Sequence, residues 1–252
     1  MKLKITMVLL AVALATGWAF AAVSVFEFDG DFSSTGPAQM SFFQGNSFGS
    51  FGTDIVNGAP SGVFNFPALT QSQGLMVTHN APPNGGGDYP NQYTLGFDIK
   101  WVNASGYASF FQTNLNNAND GDLFRNGSGG IGISGTYHGT MLSDTWYRVM
   151  FSFDLAGEIG PAKTLYKYID GSLVGSQVLP AGIDGRWALD PYFLILTDED
   201  GETNAGSISR FWFEDRAITG AEAAMYGGPN IPEPATLALL GIGLLPMLKR
   251  RK

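Results

Sequence analysis

Two short acidic segments of this chain have the residue types and spacing to bind a metal ion. Asp120 and Asp122 flank a single glycine, and the run Asp198-Glu199-Asp200-Gly201-Glu202 comes later in the chain. Calcium is held by about six to eight oxygen atoms, which two such loops can pool. The sequence therefore predicts a calcium site formed by Asp120, Asp122, Asp198 and Asp200.

A purely structural role is the alternative for these acidic residues, because Asp and Gly also build turns without any ion. The order is not that of an EF-hand, since Gly201 falls too early and no flanking helices are predicted. Calcium is thus the only cofactor that the residues suggest.

Aromatic side chains near predicted loops are candidates for sugar binding. Sugar-binding proteins pair an aromatic platform with Asp and Asn side chains, and the candidates here are Tyr107, Tyr137, His138 and Trp187. A place in the core is the alternative for each of them, because most aromatic side chains of a β-protein are buried.

A catalytic site is not predicted. Glu27-Phe28-Asp29 loosely resembles the paired carboxylates of glycosidases, but Gly30 breaks the run and a second Glu is missing. His79 and His138 are the only histidines, and no Gly-x-Ser-x-Gly segment accompanies either. The absence of Cys excludes a thiol nucleophile. A glycan-cleaving enzyme therefore remains only an alternative to a non-catalytic protein.

The elements that must position these residues are predicted to be β-strands. The chain has 34 Gly, 19 Phe, 9 Tyr and 5 Trp, a composition typical of turns between pleated, aromatic-rich strands. Residues 93–102 and 146–154 alternate with a period of two, which predicts half-buried strands. The segment 31–67 is expected to hold weak strands and long loops, and Asp170-Gly171 predicts a tight hairpin. Near the end, Thr219 and Glu222 predict a capped helix.

The charge of the central region excludes nucleic acid as a partner. Six of the 14 basic residues and one of the 22 acidic residues lie in the two ends of the chain, which leaves a net charge of −13 between them. Such a surface repels nucleic acid and anionic lipid, but it tolerates neutral sugars and divalent cations.

Both ends of the chain carry membrane signals. Lys2 and Lys4 precede an apolar run and the small residues Ala19 and Ala21, which is the order of a secretory signal peptide cleaved after Ala21. At the other end, residues 235–248 are free of charge. A helix of that length covers about 21 Å, which is less than the ~30 Å hydrocarbon core of a bilayer.

The C-terminal tail resembles the PEP-CTERM sorting signal of Gram-negative bacteria. Three parts in order carry this resemblance: the motif Pro232-Glu233-Pro234, the apolar run, and the basic stop Lys249-Arg250-Arg251-Lys252. It implies a transient tether in the inner membrane, cleavage near the motif by an exosortase-type enzyme, and a place at the cell surface or in the extracellular matrix.

The stretch 93–228 resembles the laminin-G-like, concanavalin A-like jelly roll. The resemblance rests on residues 144–149, on the hairpin segment 168–174 and on the closing segment 208–222. It implies an all-β, antiparallel two-sheet sandwich whose first and last strands meet, with the first strand near Phe211. Some laminin-G-like domains bind calcium at the rim of the sandwich.

These observations predict three regions: a signal peptide (1–21), a β-sandwich (22–228) and a sorting tail (229–252). The expected function is an exported surface or matrix protein that binds polysaccharide or a matrix protein without catalysis. A purely structural matrix component and a glycan-cleaving enzyme are the alternatives. Signal peptidase and an exosortase-type enzyme are the expected processing partners.

Overall fold

The computed structural model describes residues 23–115 and 120–229. The predicted signal peptide and sorting tail lie outside these residues. The first sheet, here called sheet A, has the order β13-β12-β11-β6-β15-β4-β3, and β1 also pairs with β15. The second, sheet B, has the order β10-β9-β8-β7-β14-β5-β2. All of these strand pairs are antiparallel.

Sheet A contains β1 (Val23–Phe26), β3 (Ser50–Val56), β4 (Ala59–Phe66), β6 (Gln92–Trp101), β11 (Tyr147–Asp154), β12 (Thr164–Ile169), β13 (Ser172–Val178) and β15 (Gly206–Glu214). Sheet B contains β2 (Gln39–Phe42), β5 (Leu75–Thr78), β7 (Ala108–Gln112), β8 (Asp122–Arg125), β9 (Ile131–Ile133), β10 (Thr136–His138) and β14 (Tyr192–Ile195). A 3-10 turn spans Phe43–Gly45, and the helix α1 spans Gly220–Tyr226. Among the described residues, no helix has the length and hydropathy needed to cross a bilayer.

The core lies between the two sheets, and it confirms the predicted all-β jelly-roll sandwich. Inward-facing residues of β6, β11 and β15 belong to one buried cluster: Phe97, Trp101, Val149, Phe151, Phe153, Phe211 and Phe213. The first strand meets the last, as the jelly roll requires, because Phe26 pairs with Phe211 and their rings lie 5.8 Å apart.

The outer face of sheet A is also buried, which corrects the expectation that β6 is half-exposed. Met150, Tyr168, Trp212, Ile218 and Ala223 form a second small core there. Trp212 leaves no room for a side chain at residue 96, since a Cβ on Gly96 would lie 2.0 Å from its ring. The predicted capping box is present, with the Thr219 hydroxyl accepting from the backbone N–H of Glu222.

The expectation of weak strands and long loops over 31–67 fails for its second half, because β3 and β4 form a regular hairpin there. Asn57 and Gly58 make its two-residue turn, with φ of 46° and 84°. Asn and Gly are the residues that adopt these left-handed angles most readily, so the turn chemistry was visible in the sequence. The flanking strands are rich in Gly, Ser and Pro, and with this composition the sequence did not predict that the two strands pair.

Candidate functional site

Gln112 and Asp122 project from the outer face of sheet B. Gln112 lies directly opposite Asp122 across the β7–β8 pair, and directly opposite residues point their side chains to the same face. Their chain neighbours Phe111 and Leu123 pack between the sheets. Because successive side chains of a strand alternate between faces, Gln112 and Asp122 face outward.

The loop after β14 folds back against this face. We call residues 198–202 the acidic loop. The backbone N–H of Ser109, in β7, donates to the carbonyl of Glu202 at 2.9 Å. Within the loop, Oδ2 of Asp198 accepts from the backbone N–H groups of Asp200 at 2.9 Å and Glu202 at 3.3 Å. Sheet B and the loop's own hydrogen bonds therefore hold the acidic loop beside β7.

Three carboxylates converge where the acidic loop meets sheet B. Asp120, Asp122 and Glu199 each place an oxygen atom within 4.8 Å of the others, and we call them the carboxylate cluster. Each has one buried oxygen without a hydrogen-bond partner among the described residues. Oε1 of Gln112 and Oγ1 of Thr197 are buried and unpartnered in the same way. This part of the chain therefore holds an excess of hydrogen-bond acceptors.

Two acids of the carboxylate cluster, Asp122 and Glu199, have a raised pKa and bind protons more tightly than ordinary acids do. Burial, together with the nearby charges of Asp120 and Glu199, raises the pKa of Asp122 to about 8. Burial, together with the charges of Asp198 and Asp120, raises the pKa of Glu199 to about 7. Both shifts follow from packing like charges where water screens them little.

The oxygen atoms at this site suit calcium, because this hard cation prefers oxygen ligands. The cluster supplies carboxylate oxygens, Gln112 an amide oxygen and Thr197 a hydroxyl oxygen. Asp120, Asp122 and Glu199 would hold the ion. The predicted set included Asp198 and Asp200 instead of Glu199. The Asp198 carboxylate caps its own loop, and Asp200 is exposed and outside the cluster. In an uninterrupted acidic run, the sequence gives no sign of which side chain turns inward.

Trp187 is wrong as a sugar-binding residue, because its side chain is buried. Only 1% of it is exposed, and its ring stacks on Phe153 with centroids 5.7 Å apart. A Cβ on Gly121 would lie 2.4 Å from this ring. Trp187 therefore supports the segment that carries Asp120 and Asp122, and only glycine fits between them.

An aromatic patch lies beside the cluster on the same face of sheet B. We give this name to Tyr107, Phe124 and Tyr137. The ring of Tyr107 lies 5.9 Å from Phe124 and 6.0 Å from Tyr137. Tyr107 is 42% exposed, whereas Phe124 is buried beneath it. Phe124 follows Asp122 by two positions in β8, so the patch and the cluster share the outer face.

His138, another of the predicted sugar-binding residues, is not part of the aromatic patch. It follows Tyr137 in β10, so its side chain points to the opposite face. Its ring lies against β13, where a Cβ on Gly175 would be 2.3 Å from it. Tyr107 and Tyr137 are thus the two candidates that the structure brings together.

The residues weighed for catalysis have structural partners. Glu27 forms an ion pair with Arg210 at 2.7 Å. His79 contacts backbone through both ring nitrogens: Nε2 lies 2.8 Å from the carbonyl of Asp190, and Nδ1 accepts from Ala81 at 2.9 Å. This ring has no nitrogen left to act as a general base.

Residues 230–252 match the model of the PEP-CTERM protein-sorting motif. The chain therefore carries this motif, which implies export through an exosortase-dependent route with a membrane-anchored sorting intermediate. No curated protein sequence matches the chain.

Solved structures share the fold of the described domain. The botulinum neurotoxin serotype G binding domain matches with a TM-score of 0.53 and 13% identity, over 81% of this chain and 50% of that one. Domain 4 of AbnA, an extracellular arabinanase from Geobacillus stearothermophilus in complex with arabinotriose, matches with a TM-score of 0.51 and 17% identity, over 82% and 98%.

A third match is the binding domain of botulinum neurotoxin DC in complex with rat synaptotagmin II. Its TM-score is 0.54 at 12% identity, over 81% of this chain and 50% of that one. The chain thus spans about half the length of the neurotoxin domains that it matches. At these identities the likeness concerns the fold alone.

Proposed function

We propose that residues 22–228 form a non-catalytic module that binds polysaccharide at the surface or in the extracellular matrix of a Gram-negative bacterium. The N-terminal signal directs the chain to signal peptidase, and the tail directs it to an exosortase-type enzyme. The inner membrane holds the protein only during sorting. A neighbouring matrix protein is the alternative ligand, and nucleic acid is not a partner.

The observation that carries this proposal is the shared outer face of sheet B. The aromatic patch offers the exposed ring of Tyr107, and the acidic loop beside it offers the carboxylates of Asp200, which is exposed, and Glu202, which is partly exposed. Sugars present apolar ring faces together with rows of hydroxyl donors. A surface that combines aromatic rings and polar acceptors therefore suits a sugar chain better than a protein helix.

The solved structures of this fold include one bound to a sugar and one bound to a protein. The arabinanase domain is in complex with arabinotriose, and the neurotoxin domain is in complex with synaptotagmin II. The acceptor-rich surface next to Tyr107 favours the first kind of ligand here.

Glycan cleavage is a second candidate because three carboxylates lie within 4.8 Å of one another. Retaining glycosidases hold two carboxyl groups about 5 Å apart. However, one oxygen of each acid in the cluster is shielded from solvent, which favours a buried cation over a reaction with sugar. Release of reducing sugar from the host exopolysaccharide would favour the enzyme instead.

A glycan array tests the proposed function directly. The wild-type protein is expected to bind a subset of glycans, with no change in their chain length after incubation. Absence of binding to every glycan, in the presence of calcium, would favour a purely structural matrix component.

A further inference from the structure

A pocket lies next to the carboxylate cluster, where the hydroxyl of Thr113 in its lining accepts from the backbone N–H of Gly121 at 2.8 Å. Its volume is about 230 Å³, and Tyr89, Asp184, Arg186 and Asp190 line it. This is smaller than the ~300–1,000 Å³ typical of small-molecule sites, so the pocket suits one ring rather than a longer chain.

Asn91 fixes the loop that carries Tyr89. Its side chain is fully buried, and its Nδ2 donates to the carbonyls of Gly86 at 2.7 Å and Tyr89 at 2.8 Å. Its Oδ1 accepts from the backbone N–H of Asp184 at 2.7 Å, which joins this loop to the one that carries Arg186. Both walls of the pocket are therefore held in place before any ligand arrives.

Asp184 completes this connection. Its Oδ2 accepts from the backbone N–H of Asp88 at 2.8 Å, and its Oδ1 accepts from Nδ2 of Asn91 at 2.9 Å. The hydrogen bond from Asn91 is the main cause that lowers the pKa of Asp184, so this carboxylate stays charged. The carboxylate of Asp184 is thus used to hold the two loops together. Asp190 is the acidic residue of the pocket that remains to accept hydrogen bonds from hydroxyl groups.

Arg186 is the cation of this pocket. Its guanidinium carbon lies 5.6 Å from the ring of Trp187, and its Nε is buried without an acceptor among the described residues. Lys100, Arg148, Arg210 and Arg216 each form an ion pair with a carboxylate. In the described part of the chain, Arg186 has no such partner.

From this geometry we infer that the Tyr89–Arg186 pocket binds a sugar residue that carries a carboxylate, such as a hexuronate. The Arg186 guanidinium pairs with the carboxylate, Tyr89 covers a ring face, and Asp190 accepts a ring hydroxyl. The inference rests on the proposed function, and it names the charged sugar class that the polysaccharide contains. In a domain with a net charge of −13, an anionic sugar needs such a dedicated cation.

Calorimetric titration of the full-length protein tests this inference, in a detergent without a sugar headgroup. The probes are glucuronate, glucose, polygalacturonate and a neutral glucan. Wild-type protein is expected to bind glucuronate more tightly than glucose, and Arg186→Gln is expected to weaken glucuronate binding roughly ten- to a hundredfold. Lys163→Gln removes an exposed cation that does not line the pocket and should leave the affinity unchanged.

The outcomes separate this inference from the proposed function. If Arg186→Gln binds glucuronate and polygalacturonate as well as wild type, or glucose binds equally well, the inference is wrong and the proposed function stands. If wild type binds neither these probes nor any glycan of the array, both are wrong. Tyr89→Phe should retain binding and Tyr89→Ala should lose it, which checks that the aromatic ring takes part.

Discussion

Arg148 and Asp98 form a buried ion pair with two parallel hydrogen bonds. Nε and Nη2 of Arg148 each lie 2.7 Å from an oxygen of Asp98, and the two side chains are 1% and 2% exposed. They face each other across the β11–β6 pair. Nη1 of Arg148 also donates to the carbonyl of Tyr226 at 2.6 Å, at the end of α1. The pair therefore fastens the helix to the outer face of sheet A.

Replacing Asp98 with Asn should destabilise the domain strongly, because Arg148 would remain buried without a counter-charge. The expected loss is about 3–5 kcal/mol in the free energy of unfolding, measured by urea denaturation. Asp54→Asn is the matched control, since Asp54 pairs with Lys100 near the surface and should cost less than about 1 kcal/mol. Equal losses in the two variants would contradict the role of burial.

Without a bound cation, the domain should become less stable as pH rises from 5 to 8. The pKa of Asp122 is about 8 in the folded protein, against an ordinary value near ~4 in the unfolded chain. Between these values the folded state binds more protons, so the free energy of unfolding falls by up to about 1.4 kcal/mol per pH unit for this group. This contribution is complete below the unfolded pKa and is lost as pH passes the folded one.

Urea denaturation in chelator across this pH range measures the effect. Asp122→Asn should flatten the slope, whereas Asp144→Asn, which removes an exposed acid outside the cluster, should not. A slope of opposite sign, or an identical slope in the Asp122 variant, would show that Asp122 does not hold its proton in the folded protein up to this pH.

Calcium at millimolar concentration should raise the melting temperature, since it replaces the protons of the carboxylate cluster. A hundredfold excess over Kd adds about 2.7 kcal/mol. For a domain near 200 residues this corresponds to roughly 5–10 °C. Asp122→Asn and Glu199→Gln should remove the shift, but Asp200→Asn should keep it, because Asp200 lies outside the cluster.

Scanning calorimetry in calcium, magnesium and chelator makes this comparison. Equal melting in calcium and chelator would mean that the acidic residues only shape the loops. A loss of the calcium response in both Asp122→Asn and Asp200→Asn, with the response retained in Glu199→Gln, would instead favour the set predicted from sequence.

Export should leave a mature protein that begins at Ala22 and ends near Glu233. Two observations support this prediction: the N-terminal order of basic, apolar and small residues, and the match of residues 230–252 to the sorting motif. N-terminal sequencing and the intact mass of the protein from the native host decide this. An unprocessed chain of 252 residues in the cytosol would contradict it.

The inward faces of the strands were predictable from sequence, and the outward faces were not. Leu95, Phe97 and Ile99 alternate as a core-facing set and are fully buried. The intervening Asp98 is buried too, because α1 and Arg148 cover it. Such burial depends on an element more than a hundred residues away in the chain, which local alternation cannot reveal.

Only part of the candidate site was predictable, again because the sequence does not show which way each side chain points. Asp120 and Asp122 have the spacing of side chains on one side of a turn, and both join the cluster. Glu199 lies among other acids, and only the hydrogen bonds of the acidic loop decide that it turns inward. Trp187 was misplaced, and His138 was not separated from the patch residues, because residue type alone does not tell which face of a strand or loop a ring occupies.

Binding of the host exopolysaccharide to the aromatic patch tests the central claim most directly. Surface plasmon resonance should show binding by wild type in millimolar calcium, and Tyr107→Ala and Tyr137→Ala should each weaken it about tenfold or more. Tyr192→Ala is the matched control, since Tyr192 is 43% exposed against 42% for Tyr107 but lies outside the patch. Retained affinity in both patch variants, or no binding by wild type, would contradict the proposal that the aromatic patch binds polysaccharide.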